Sequence, residues 1–354
     1  MARRRITIQD VADRAGVSKS AVSLAYNDSR KLSEATLQNI MRAAQELGYS
    51  QDPAARMLRT QRTDSLGLLL PQQLDKVLEN PYYTQFLQGI GQTCQQEGLT
   101  LLLVPPLRGS MLKAIPYAAV DGFIVCGLEY DRGEVTALRQ RGIPFVLVDS
   151  ELHEGVPSVD VDEAEGIRDL VDYLLRQGHR RIAFIAIETD TPGGYANWRG
   201  PVKRRMQGAT ESLARHGLTP ESQGITVIET PCTRAGGVAA FRALWAQSER
   251  PTAMVAFSDV IAFGILDAAR EAGVDVPKEL SVSGFDDLSE ASWTTPSLTT
   301  IRQPIATKGR LAAEYLVESI TSENVADTGH QQRLATVLLL RGSTGPAPIA
   351  ESDG

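Results

Sequence analysis

Cysteine, histidine and aromatic side chains are scarce in this chain. Three cysteines, Cys94, Cys126 and Cys232, are spread over 354 residues. Their odd number and wide separation suggest neither a disulfide framework nor a zinc site. The four histidines, His153, His179, His216 and His330, are scattered. No metal or cofactor is expected, and His179, in a loop before a predicted strand, reads as structural. No Walker loop, HExxH or GxSxG occurs. The lone GIG at 89–91 falls inside a predicted helix and is no dinucleotide fingerprint. The pairs Ser258–Asp259 and Asp286–Asp287 resemble acid–base machinery, but a carboxylate in a cleft reads hydroxyl groups equally well. An enzyme is therefore not expected. No apolar run is long enough to span a membrane. The first residues, MARRRITIQD, lack the apolar core of an export signal, so a cytoplasmic location is expected.

Charge is present, and it is distributed unevenly. Residues 1–62 hold 11 Lys and Arg against 6 acids, and the remainder holds 25 against 37, for a total of −7. A basic head of this kind displaces phosphate counterions, while an acidic body stays off the duplex.

The head carries a pattern as well as a charge. ITIQDVADRAGVSKSAVSLAYN, residues 6–27, reads as helix, tight turn and second helix. Thr7 is a candidate N-cap with Asp10 in the first turn. Ile8, Val11, Ala12 and Ala15 follow helical spacing. Gly16 supplies the positive φ of a sharp turn. Ser18 caps the second helix, whose Ala21, Val22 and Ala25 face back, leaving Lys19, Ser20, Ser23 and Leu24 outward. A bare helical hairpin would share the apolar spacing. The short polar outer face and the neighbouring Arg3, Arg4 and Arg5 instead suit a DNA major groove. A third helix is predicted over 33–47, capped by Ser33 and ended by Gly48.

The head is assigned to residues 1–49, and a hinge and linker to 50–65. Asp52 and Pro53 read as N-cap and first helical residue of a very short helix over 54–59. A helix that short is unstable alone, so it is expected to order only on DNA and against a dimer mate. A two-lobed body follows over 66–345, and residues 346–354 are expected to be a disordered tail. The tail has no heptads, so no coiled-coil tetramer is expected.

In the body, buried-strand runs alternate with amphipathic helices. Strands are predicted at SLGLLLP, LTLLLVP, GFIVCG, PFVLVD, RIAFIAI, GITVIE, AMVAFS and LSVSGF. Helices are predicted over 84–97, 133–141, 164–177, 203–216, 236–247 and 260–272, with a last helix over 307–320 and a strand over 335–340. This alternation implies parallel sheets covered by helices. The strands are too many for one comfortable sheet, so two similar lobes are expected. Ligands in such folds bind at the carboxyl ends of strands.

These segments together resemble the LacI/GalR family of bacterial transcription regulators. The resemblance is carried by the helix-turn-helix, DPAARMLRTQRT, NPYYTQFLQGI, VDGFIV, QGHRRIAFIA, RRMQG, SDVIAFGIL, VPKELSVSGFDD and TPSLTTIRQP. It implies an all-α helix-turn-helix head on an α/β two-lobed, periplasmic-binding-protein-like (type I) effector domain. It further implies a homodimer on pseudo-palindromic double-stranded operator DNA, released by a small sugar-like effector.

The resemblance places the DNA-facing set at Thr7, Ser18, Lys19, Ser20, Ala21, Ser23, Leu24 and Asn27. Leu24 stands where arginine is usual, and leucine cannot hydrogen-bond a guanine edge. Ala55 and Leu58 match hinge positions that enter the minor groove, with Leu58 as the wedge. The effector set is Tyr82, Tyr83, Cys126, Asp149, Arg205, Cys232, Ser258 and Asp286. Arg205 and Asp286 suit sugar hydroxyls, while Tyr83 reads equally as core. Ser258, Cys232 and Cys126 replace an asparagine, a stacking aromatic and a polar residue respectively. Such a wall is roomier or less polar than a monosaccharide site, and favours a disaccharide or glycoside. A purine-responsive corepressor mode is the alternative, and a solute-binding receptor a more distant one.

Overall fold

The structure, a computed structural model, describes residues 6–27, 29–50, 57, 60–189, 193–322 and 329–349. It divides into two compact units, residues 1–63 and 64–354.

The first unit holds helices α1 (Ile8–Ala15), α2 (Lys19–Asn27) and α3 (Glu34–Leu47). Local chemistry sets each boundary. Thr7 and Asp10 form a reciprocal capping box at the start of α1, and Gly16 closes it at φ 68°. The Ser18 hydroxyl accepts from the backbone N–H of Ala21, and Ser33 caps α3. Gly48 ends α3 at φ 63°. The apolar faces meet in one small core of Val11, Ala12, Ala15, Val22, Ala25, Ile40, Ala43 and Ala44. The amide of Asn39 donates to the Ala15 carbonyl at 2.8 Å, tying α3 to the end of α1. The short helix expected over 54–59 lies, apart from residue 57, outside the described residues.

The second unit contains two six-stranded sheets. The first lobe is built from β1 (Ser65–Leu69), β2 (Thr100–Val104), β3 (Gly122–Cys126), β4 (Phe145–Val148) and β5 (Ser158–Val161). Around them lie α4 (Leu74–Leu78), α5 (Pro81–Glu97), α6 (Met111–Ala114) and α7 (Gly133–Gln140). The second lobe holds α8 (Glu163–Arg176), β6 (Ile182–Ile187), α9 (Gly200–Arg215), β7 (Ile225–Thr230), α10 (Arg234–Trp245), β8 (Ala253–Ala256), α11 (Asp259–Glu271), β9 (Ser281–Asp286) and β10 (Thr299–Arg302). Helix α12 (Ile305–Thr321) returns to the first lobe and packs on α5 and β4. Strand β11 (Gln331–Leu334) then pairs with β5, and β12 (Val337–Leu339) with β10. The sheet orders are β11-β5-β4-β3-β1-β2 and β12-β10-β9-β8-β6-β7, parallel except for the β10–β12 pair. The chain thus passes between lobes three times among the described residues: after β5, after β10 and after β11.

Several boundaries differ from the sequence reading. Helix α5 begins at Pro81, three residues before the predicted start, because Asn80 accepts from the N–H of Tyr82 and Pro81 presets the first turn. Tyr82 and Tyr83 therefore sit on a helix. Helix α9 likewise begins at Gly200. Strands β5, β10 and β11 were not predicted; SVDV, TTIR and QQRL are short and carry polar residues, and only pairing makes them strands. The predicted strand over 335–340 is β12 alone, because the chain has just left the other sheet at Leu334. Within the expected disordered tail, the Ala347 N–H donates to the Gln177 carbonyl at 2.9 Å and ties that residue to the second lobe, while Ile349 is exposed. Residues 350–354 lie outside the described set.

Three helix pairs among the described residues approach through glycine: α5 with α12, α10 with α11, and α8 with α9, where a Cβ on Gly208 would overlap the Ala164 carbonyl. A Cβ on Gly89 of α5 would overlap the Ala306 carbonyl of α12, and one on Gly309 would overlap that of Phe86. Gly237 of α10 and Gly264 of α11 face each other in the same way. The glycine pair in GIG therefore includes a packing residue at Gly89, in keeping with the absence of a phosphate-binding fingerprint.

Candidate functional site

The carboxyl ends of the strands of both lobes converge on one buried polar cluster. Asp149 follows β4, and Asp286 ends β9. Both hold positive φ, 58° and 128°, a conformation that side-chain-bearing residues keep only where surrounding bonds enforce it. Those bonds form a continuous chain. The Tyr82 hydroxyl donates to Asp149 Oδ2 at 2.9 Å. Lys308 Nζ donates to Asp149 Oδ1 at 2.7 Å and Oδ2 at 2.9 Å, and to Gln303 Oε1 at 2.7 Å. Gln303 Nε2 donates to Asp286 Oδ1 at 2.6 Å, and the Ser258 hydroxyl to Asp286 Oδ2 at 3.2 Å. The chain begins on the first lobe, runs along the segment joining β10 to α12, and ends on the second lobe.

Arg205, 5% exposed on α9, stacks its guanidinium over Phe285 and donates to the Phe257 carbonyl. Its Nε is buried with no protein acceptor. Cys126 lies 3.9 Å from Asp149 Oδ2, and Cys232 accepts from the Asn80 amide at 3.7 Å. Burial pushes the Tyr83 phenol well up, and its neighbours Cys126, Cys232 and Asp149 add to the shift.

Electrostatics follow from burial and neighbours. Burial raises the Asp149 pKa, but Lys308, Arg204 and the Tyr82 hydroxyl outweigh it and hold the carboxyl below its usual range. Burial keeps Asp286 raised despite Arg205 and Gln303. Burial and the Asp149 charge raise the Tyr82 phenol and the Cys126 thiol, and burial brings the Cys232 thiol to about 11. The second members of the neighbouring pairs hold structural hydrogen bonds, and burial with the Asp286 charge raises the Asp259 carboxyl. Asp259 accepts from the Leu288 N–H and the Thr300 hydroxyl, and Asp287 accepts from Arg302 and Arg341. His179 bridges Thr252 and the Gly345 carbonyl, a structural role.

All eight sequence-chosen effector residues thus meet in one place. Lys308 and Gln303 were missed. A separate cavity of about 360 Å³ is lined by Glu129, Asp131, Glu151, His153, Arg199 and Lys203, and by none of these cluster residues. Arg199 Nη1 meets Asp131 at 2.8 Å and Lys203 meets Glu151 at 3.5 Å, so ion pairs join the lobes at this rim.

In the head, Ser18, Lys19 and Ser20 are exposed, and Ser23 and Leu24 are partly so. Ala21 is half-buried against the head core, which its small side chain helps to close. Thr7 spends its hydroxyl on the capping box. Asn27 ends α2. Ala55 and Leu58 lie outside the described residues.

Comparison with known proteins gives two matching family models. Residues 7–52 match "Bacterial regulatory proteins, lacI family", and residues 171–344 a periplasmic binding protein-like domain. The regulator CelR of Thermobifida fusca is 34% identical over 328 residues, covering 91% of this chain and 94% of CelR. The repressor PurR of Pectobacterium carotovorum is 32% identical over 353 residues, covering 98% of each chain. A solved CelR–cellobiose complex has 30% identity and a TM-score of 0.69, covering 96% of this chain and 100% of that one. The lac repressor dimer bound to operator and the anti-inducer ONPF has a TM-score of 0.80 at 23% identity, covering 96% of this chain and 99% of that one, a likeness of fold alone.

Proposed function

The chain belongs to the lacI family of bacterial transcriptional regulators, and from that premise we propose that it represses carbohydrate-utilisation genes and is released from its operator by a sugar, specifically a disaccharide or glycoside. The observation that carries this reading is the cluster at the strand ends. It offers carboxylates (Asp149, Asp286), an amide (Gln303), hydroxyls (Tyr82, Ser258) and the unused Nε of Arg205 on one site. Alternating donors and acceptors of this kind suit a polyhydroxylated ligand. The likeness to CelR, which has been solved with cellobiose, supports the same class.

The mechanism follows from a two-state body. A ligand between the lobes acts only through its different affinity for two lobe arrangements. In a homodimer, a change in lobe angle alters the spacing of the hinge segments that carry Ala55 and Leu58. Ser18, Lys19, Ser20, Ser23 and Leu24 present the base- and phosphate-facing surface of α2, and Leu24 offers a thymine methyl its apolar contact.

A thermal-shift panel of cellobiose, monosaccharides, sugar phosphates and purines, with Arg205→Ala beside the native protein, tests the reading. A native-state ligand raises the midpoint by mass action. A disaccharide shift lost in the variant supports it. A purine shift overturns it in favour of a purine-responsive regulator.

A further inference from the structure

Lys308 is fully buried, at 0% exposure, on the first turns of α12, where the chain has just crossed between lobes. Its ammonium meets both oxygens of Asp149 and the oxygen of Gln303. A buried ammonium is costly unless paired and hydrogen-bonded, and here all three donors find acceptors.

We propose that Lys308 is a positioning residue for effector recognition: it fixes which way the Gln303 amide points and thereby sets the donor and acceptor pattern that the cleft presents to a ligand. The argument is one of proton direction. A lysine has three donors and no acceptor, so it tolerates only the oxygen end of an amide. With Oε1 held at 2.7 Å, the Gln303 nitrogen is turned to Asp286 Oδ1 at 2.6 Å. Asp286 is then left with Oδ2, which accepts from Ser258. On the other side, the same ammonium keeps Asp149 an acceptor, and the Tyr82 hydroxyl must donate to it. One cation therefore orders Asp149 and Tyr82 of the first lobe, Gln303 on the crossing and, through it, Asp286 of the second lobe. Replaced by an apolar group, it would leave the amide free to turn and Asp286 Oδ1 without an assured donor.

The proposal rests on the sugar-binding reading, and its test separates the two. The full-length native protein is compared with Lys308→Met, with Asp149→Asn and with Lys308→Met/Asp149→Asn. Lys308→Met alone leaves Asp149 buried and unpaired, so its thermal midpoint falls. The double variant removes that charge, and its midpoint recovers toward the native value. Stability and positioning are then told apart by the Gln303 side-chain amide resonances and by cellobiose binding in calorimetry.

The expected result for the stable double variant is a broadened, solvent-exchanging Gln303 amide and cellobiose affinity on the order of tenfold weaker than that of Asp149→Asn alone, the scale of one lost hydrogen bond. A sharp native-like Gln303 amide in that variant, or cellobiose affinity no weaker than that of Asp149→Asn alone, overturns the proposal. If the native protein binds no cellobiose, the disaccharide reading falls, and the Gln303 resonances alone decide for or against Lys308.

Discussion

The guanidinium carbon of Arg205 stands 3.8 Å from the ring centroid of Phe285, the residue immediately before Asp286. The stack holds the arginine fork in a fixed plane, with one arm spent on the Phe257 carbonyl and Nε unused. Arg205→Lys retains charge but loses both the planar fork and the stack. The expected outcome is an effector affinity reduced roughly tenfold to a hundredfold, the scale of hydrogen bonds to charged groups. Operator affinity without effector should stay native. Titration of operator binding with and without cellobiose checks both.

Asp160 gives a pH signature. On β5 it is buried with Oδ2 unpartnered, and burial together with the Asp149 charge, eased by Arg204, brings its pKa to about 7. A carboxyl raised in the folded state binds its proton more tightly there than in the unfolded chain. Its presence therefore costs stability increasingly as pH rises from the ordinary carboxylate range to about 7. Asp160→Asn keeps the oxygen that accepts from the Ser150 N–H. We expect the variant's stability relative to the native protein to improve from about pH 4 to about pH 7 and to level off above that, by up to about 1.4 kcal/mol per pH unit within the window. Urea titrations at several pH values measure it; a difference that does not vary with pH would remove the assignment.

Gly264→Ala tests the close crossing of α10 and α11. The added methyl would overlap the Arg234 carbonyl, a backbone atom that cannot swing aside. We expect a loss of about 1–3 kcal/mol, as for overpacked cores. It should appear as a lower urea midpoint with an unchanged slope. Gly91→Ala, where nothing lies within 4 Å, is the control.

Thr7 serves the fold of the head through its capping box. Thr7→Ala should cost α1 about 1 kcal/mol. Hydrogen exchange of the α1 amides in the full chain would report faster local opening, while the body amides stay as protected as before. If only operator affinity changed and exchange did not, Thr7 would be a DNA contact and no more than that.

The parts of this molecule that were legible in the chain are those whose causes lie within a few residues. The caps at Thr7 and Ser33 and the turns at Gly16 and Gly48 are local hydrogen-bond and backbone effects, and each stands where it was read. The β–α alternation of the body announced parallel sheets, because buried parallel strands are continuously apolar, and the number of strands announced two lobes. Even the missed start of α5 had a local signal, Asn80 before Pro81. Lys308 had one too: it shares a helical stripe with Ile305, Gly309, Ala312 and Leu316, all buried, and a lysine there is out of pattern.

What no local rule could supply was its partner. Asp149 lies 159 positions away along the chain, and the two meet only because α12 folds back against the first lobe after the chain has built the second. Strands β5, β10 and β11 share that origin, since their polar residues become sheet only when a neighbour offers its backbone. Capping and periodicity act over one or two turns, whereas a buried charge is stable only where the whole fold brings a counter-charge to it.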